Sequence, residues 1–275
     1  MPGGIIITPD APCSLWDVFY GSALRCTPVV PAGAELSVAL FAGPDAVAWG
    51  SRTGDVGVRD VRCPQRGAPV WRGRASGAAV DALAACGDRL VSAAADGSVC
   101  EWDVRSAGVP VATKSVPGDA SCAVAVYGRC VAAGTHAGRV VVDGRVLRRE
   151  SGCAANCLLF ADGDTLVVGD DGGRVSRLSV RTGQETLLMD VPDAAITCMH
   201  VSRGGRLVAG ATDGVIRSVE LRGHAPDGVA EIRPHYAKHA GRRAAIWQLH
   251  TDGAQVLSAS LDRRMFVHDF GPQHS

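Results

Sequence analysis

The sequence predicts an all-β chain built from one short antiparallel unit written repeatedly, and three observations carry that prediction. The first is a phrase that returns: Cys-Ser-Leu-Trp-Asp-Val at 13–18 comes back as Val-Cys-Glu-Trp-Asp-Val at 99–104, with a degenerate copy, Gly-Val-Arg-Asp-Val, ending at Val61. The second is spacing, since Asp17, Asp60 and Asp103 follow one another at intervals of 43 residues. The third is texture: short apolar runs bounded by Gly/Asp turns, with the length of strands rather than helices.

Residues Val80–Val104 show the unit most plainly. Val80–Cys86 reads as one strand, Gly87-Asp88 as a turn, Arg89–Ala94 as a second strand, Asp96-Gly97 as a turn and Ser98–Val104 as a third strand. Tight Gly-containing connections of this kind join antiparallel neighbours. The same unit recurs at Leu36–Val61, Cys122–Val142, Asn156–Val180, Ile196–Leu221 and Ile246–Phe270. Between units lie Ala68–Arg74, Pro110–Val116, Arg145–Glu150, Glu185–Val191 and Val229–Lys238, expected to form a fourth, more polar outer strand. A seventh second-and-third-strand hairpin comes from Ile5–Val18, which aligns with Leu90–Val104 so that Asp10 falls on Asp96, Cys13 on Val99 and Trp16 on Trp102.

Four-stranded units at a period of roughly 40–45 residues are the signature of β-propeller blades, which bury their faces by stacking on one another. The residues resemble the WD40-repeat family: Trp16-Asp17, Trp102-Asp103, the Asp-Gly turns Asp96-Gly97 and Asp213-Gly214, and the Asp262 turn before His268-Asp269. The resemblance covers nearly the whole chain and implies a single β-propeller domain, 1–275, most simply of seven blades with the first and last incomplete. A six-bladed ring is the alternative, with Ile5–Thr8 or Ala23–Val30 closing the last blade as its outer strand. A third option is that part of the natural amino terminus is missing.

In that family a His, a Ser/Thr, the turn Asp and the third-strand Trp hydrogen-bond in series. The resemblance therefore gives Trp16, Asp17, Asp60, Asp96, Trp102, Asp103, Asp213, His239, Ser260, Asp262 and Asp269 a structural role. The match is partial, with Ala94 in place of a hydroxyl in one blade and His268 where Trp is usual.

Composition narrows the function. Lys+Arg and Asp+Glu number 28 each, so the chain has no long-range field to gather nucleic acid or anionic membrane. Met1–Ile7 has an apolar run but no basic flank or cleavage site, and no stretch reaches the roughly 18 residues of a membrane span. The expectation is an intracellular protein, cytoplasmic or nuclear, without membrane insertion. Its ten cysteines are scattered through strand-like segments without a CxxC pair, which suits reduced thiols used as small hydrophobes.

No constellation of catalytic type stands out. Six of the eight histidines, His224, His235, His239, His250, His268 and His274, lie late in the chain; His235 and His239 have i, i+4 spacing but fall where an outer strand or loop is expected, and neither His250 nor His268 has an acidic neighbour at ligand spacing, so no metal is expected. Asp162, Asp164, Asp170 and Asp171 occupy two separate turns and read as turn-formers rather than a calcium loop. Gly50–Gly54 is not a nucleophile elbow, and neither a Walker loop nor a dinucleotide fingerprint is present, so neither an enzyme nor a small-molecule cofactor is expected.

Two surfaces remain. Arg222, Arg233, Lys238, Arg242, Arg243, Arg263 and Arg264, with Tyr236 and Trp247 interleaved, offer an anion or RNA patch, partly offset by neighbouring acids. The family resemblance places Ser37, Arg52, Asp81, His136, Asp171, Thr197, Thr212 and Trp247 on or near the top rim. Trp and Arg dominate interface energetics. Trp247 is equally readable as a core residue of its inner strand. The expectation is a non-catalytic adaptor subunit of a multiprotein complex with protein partners. The alternatives are an RNA-processing accessory subunit using the Arg222–Arg264 face and, less readily, a propeller hydrolase.

Overall fold

The computed structural model describes residues 5–8, 14–17, 22–24, 35–43, 46–60, 71–105, 108–116, 119–202, 204–221, 229–232, 244–251, 255–260 and 265–269. Every regular element among them is a β-strand, and no helix is long and apolar enough to cross a membrane.

The strands form seven sheets in chain order. The first holds β1 (Ile5–Thr8), β2 (Ser14–Asp17) and β3 (Ser22–Leu24). The second holds β4 (Leu36–Phe41), β5 (Ala46–Ser51), β6 (Asp55–Asp60) and β7 (Trp71–Arg74), and the third β8 (Val80–Cys86), β9 (Arg89–Ala94), β10 (Ser98–Asp103) and β11 (Ala112–Ser115). The fourth holds β12 (Ser121–Tyr127), β13 (Cys130–Thr135), β14 (Val140–Val142) and β15 (Arg145–Arg148), and the fifth β16 (Cys157–Phe160), β17 (Thr165–Gly169), β18 (Arg174–Ser179) and β19 (Glu185–Asp190). The sixth holds β20 (Ile196–Val201), β21 (Arg206–Ala211), β22 (Ile216–Glu220) and β23 (Ala230–Ile232), and the seventh β24 (Ile246–Thr251), β25 (Gln255–Ser260) and β26 (Met265–Asp269). Chain neighbours are sheet neighbours throughout, so each sheet is a meander.

The fold is an all-β propeller. Counted from Leu36 to Asp269 there are six blades, the arrangement given above as the alternative, and the three-stranded sheet β1–β3 precedes them. Ile5–Thr8 does not serve as an outer strand for the last blade. Both β1 and β3 pair with β2, because a hairpin needs only local closure. The pairing of Ile6 with Trp16 is also two residues out of step with Leu90 opposite Trp102, since the connection 9–13 is longer than 95–97. Ala23–Val30 lies beyond the described residues after Leu24.

Close contacts divide the chain into two compact units, 1–136 with 140–146, and 137–139 with 147–275. Alternation explains the core of each. In β9, Leu90 joins the second sheet's Ala48, Val56, Val58 and Trp71, while Val91 and Ala93 join the fourth sheet's Val124, Val131 and Ala133. In β21, Leu207, Ala209 and Ala211 face Val167 and Val175 of the fifth sheet, while Val208 faces Ile246, Leu249 and Val256 of the seventh. Second strands are buried on both faces, which is why they read as continuous apolar runs rather than as an alternating pattern.

The described turns between second and third strands share a left-handed glycine. Gly97 (φ +83°) and Gly173 (φ +85°) take the left-handed conformation there, and a side chain on Gly173 would also collide with the Val191 carbonyl. Asp96 accepts the Ser98 amide at 3.0 Å and Asp213 the Val215 amide at 3.0 Å. In the fifth sheet Asp170, 1% exposed, takes over this duty, accepting the Arg174 amide at 2.9 Å and Arg148 Nη2 at 2.8 Å. In the second sheet Asp55 does the equivalent, accepting Thr53 Oγ1 at 3.1 Å and Arg72 Nη2 at 2.7 Å.

The third-strand tryptophan is anchored as the repeat implies but by a different hydroxyl. Trp102 Nε1 donates to Ser92 Oγ at 2.9 Å, two residues before Ala94. His268 has the same relation to Ser258, at 3.4 Å. Ser260 Oγ instead donates to the Ala244 and Ala245 carbonyls at 3.0 and 2.9 Å. Asp103 is held below the usual carboxylate range by the Arg105 amide and guanidinium, and Asp60 ends β6 opposite Ala46. Trp16, Asp17 and Asp269 lie in strands whose side chains are outside the described residues, as are His239 and Asp262 altogether.

Candidate interaction rim

The residues expected on the rim fall at two recurring positions of the sheets, and both are set by local backbone rules. One is the position after the second strand whose amide bonds back to the segment before the first strand: Arg52, Ala95, His136 and Thr212, each directly after its strand, and Asp171, two residues after β17. The other is a β-bulge near the start of the first strand. The register slips between Leu36 and Val38, Val80 and Ala82, Ser121 and Ala123, Ile196 and Cys198, and Ile246 and Gln248. Each slip leaves one residue unopposed, and a bulge re-aims its side chain. Those residues are Ser37, Asp81, Cys122, Thr197 and Trp247. Asn156, immediately before β16, holds the same place in the fifth sheet.

At three of these positions the side chain latches onto the next sheet. Ser37 Oγ donates to the Val80 carbonyl at 2.6 Å, Asn156 Nδ2 to the Ile196 carbonyl at 3.1 Å, and Thr197 Oγ1 to the Ile246 carbonyl. Thr197 Oγ1 also reaches the Gly210 carbonyl at 3.0 Å. Thr197→Val keeps the shape and removes the donor, so it should cost about 1 kcal/mol, read as a fall in denaturation midpoint with unchanged m-value.

Asp81, Cys122 and Trp247 break the pattern, Cys122 Sγ turning to the Gly134 carbonyl of its own sheet at 3.7 Å. A carboxylate has no proton to donate to a carbonyl, and the Trp247 residue is 58% exposed. The core alternative for Trp247 is therefore not the one the structure takes. Departures from a local rule without a packing gain are where functional sites are expected.

In the first unit Arg52, Asp81 and His136 lie within electrostatic range of one another. Crowding around Asp81 is the largest influence and raises its carboxyl above the usual range, while His136 and then Arg52 pull it down. Arg52 is exposed, with a loose 3.9 Å pairing to Glu35. Ser37 sits with this group but is used as a latch.

In the second unit Asp171 is exposed and accepts Asn156 Nδ2 at 3.4 Å, and Thr212 Oγ1 accepts the Ala195 amide at 3.0 Å. Thr197 is spent on its latch, leaving Trp247 as the large exposed side chain of this unit's bulged positions. Asn156 and Cys122 escaped the sequence reading. Aligning first strands on their distance from the preceding turn, rather than on apolar alternation, would have found both.

All seven residues of the basic patch, Arg222, Arg233, Lys238, Arg242, Arg243, Arg263 and Arg264, lie outside the described residues. Among the described residues no group of three or more His, Cys, Asp or Glu could hold a metal ion.

No known family profile matches the chain, and no curated protein matches it. Many solved structures share its fold. The computationally designed Ika8 protein aligns with TM-score 0.68 at 21% identity, over 98% of this chain and 94% of that one. A chain of the Mitotic Checkpoint Complex aligns with TM-score 0.79 at 15% identity, over 98% and 84%. The β-propeller domain of Cps50 (Swd1) from Myceliophteria thermophila aligns with TM-score 0.69 at 17% identity, over 87% and 83%. These likenesses agree, at the level of fold, with the β-propeller that the repeats imply.

Proposed function

We propose that this chain is a non-catalytic interaction scaffold, one subunit of an intracellular multiprotein complex, and that it binds a protein partner through its rim. The observation that carries the reading is Trp247, a large aromatic exposed at a position where other sheets spend their side chain on a latch. Arg52, with Asp81 and His136 beside it, is the corresponding feature of the first unit. Buried Trp and Arg anchors typically supply most of an interface's energy. One of the similar structures, that of the Mitotic Checkpoint Complex, is of a complex, which favours the same class of role.

Affinity capture read by mass spectrometry tests the proposal. A partner retained by the wild type should be lost from Trp247→Ala or from Arg52→Glu, each with unchanged melting. Burying a Trp contributes about 2 kcal/mol or more, so affinity should fall roughly thirtyfold. A partner retained equally by both variants overturns the rim assignment. RNA binding that falls steeply with salt and is lost on replacing Arg242 and Arg243 would instead favour the accessory-subunit reading.

A further inference from the structure

Two histidines meet where the sixth and seventh sheets join, and nothing in the rim reading uses them. His200 lies on β20 and His250 on β24, with ring centroids 4.6 Å apart in an edge-on contact. His200 Nδ1 is buried and has no hydrogen-bond partner. At the far end of the same strand pair, Thr197 Oγ1 donates to the Ile246 carbonyl and Cys198 Sγ lies 3.7 Å from it. The histidine contact and this latch therefore hold one junction from two ends.

We propose that the His200–His250 pair makes the junction between β20 and β24 acid-sensitive, because a proton on His200 places a mostly buried cation against a second imidazole with no anion among the described residues to receive it. The strands packed against β20 support this. Its sheet partner β21 carries one charged side chain, Arg206, which is engaged by Glu220 at 2.7 Å. On the fifth sheet β16 carries Cys157 alone and β17 no titratable group. From β24 the facing group is His250. On β20 itself burial pushes the Cys198 thiol up to about 12, so it stays neutral. A histidine in such a place is driven toward its uncharged form.

Burial first, and His250 second, bring His200 down to about 4 from its ordinary 6.5. The unfolded chain therefore binds a proton that the folded chain refuses between those two values. Stability conferred by neutral His200 is complete above the unfolded value and is lost as pH falls from 6.5 toward 4. Over that window this one group raises the unfolding equilibrium constant by up to about tenfold per pH unit.

Two measurements on the whole chain decide it. In an NMR pH titration of the imidazole Cε1–H signals, His200 should titrate well below its ordinary 6.5, and His250→Gln should move the His200 midpoint upward. In melts across the same range, His200→Phe should show a shallower loss of melting temperature toward acid than the wild type. A His200 midpoint at or above 6.5, or a His200→Phe profile parallel to the wild type, overturns the proposal. If His200→Phe does not fold, the titrations of the wild type and of His250→Gln still decide.

Discussion

Trp102→Ala is expected to cost about 3–5 kcal/mol of folding stability, the largest loss of any single change considered. The side chain is 2% exposed and lies in the core shared by the second and third sheets. Its ring stacks on Trp71 with centroids 5.4 Å apart, and Trp71 Nε1 donates to the Val104 carbonyl at 2.8 Å, so the two indoles staple one blade to the next. Truncation removes that stacking, leaves a cavity, and strands Ser92 Oγ at 1% exposure without its indole donor. Trp102→Phe separates the contributions. It keeps most of the volume and should lose about 1 kcal/mol beyond the smaller packing defect. Chemical denaturation of both variants checks this, and a Trp102→Ala midpoint equal to wild type would refute it.

Asp213→Ala is the second large effect, about 2–3 kcal/mol. Its carboxylate does two jobs: it locks the turn through the Val215 amide at 3.0 Å and pairs with Arg217 Nη2 at 2.7 Å. The Asp213 and Arg217 side chains are 8% and 11% exposed, so removing the anion leaves a nearly buried guanidinium. Glu231, 3.0 Å from Arg217 Nε, keeps the loss below that of an isolated buried pair. Asp96→Ala removes the same kind of turn bond from an exposed residue without a guanidinium, and should cost less. Melts of the two variants side by side test the ordering. Equal losses would mean that the turn bond alone matters.

The difference between these two aspartates marks where the sequence stops being legible. Boundaries of the inner hairpins could be read closely, because most of them are punctuated by a turn glycine, while the polar stretches between repeats located the fourth strands without fixing their ends. Arg89–Ala94 and Glu185–Asp190 fall where the pattern puts them. Partners distant in sequence could not be read. The Ser37 latch reaches 43 residues ahead, and neither hydrophobic period nor turn chemistry encodes that contact. Trp247 was undecidable for the same reason. Next to Ile246 it looks like one more core residue, and only the bulge, which adds an unopposed residue to the strand, turns it outward.

Paired melting and partner capture on Trp247→Ala test the central claim most directly. A substitution at a side chain this exposed should move stability by no more than about 0.5 kcal/mol. The account predicts a melting curve superimposable on wild type together with loss of the partner. A large fall in melting temperature, or a partner bound as tightly as before, would contradict it.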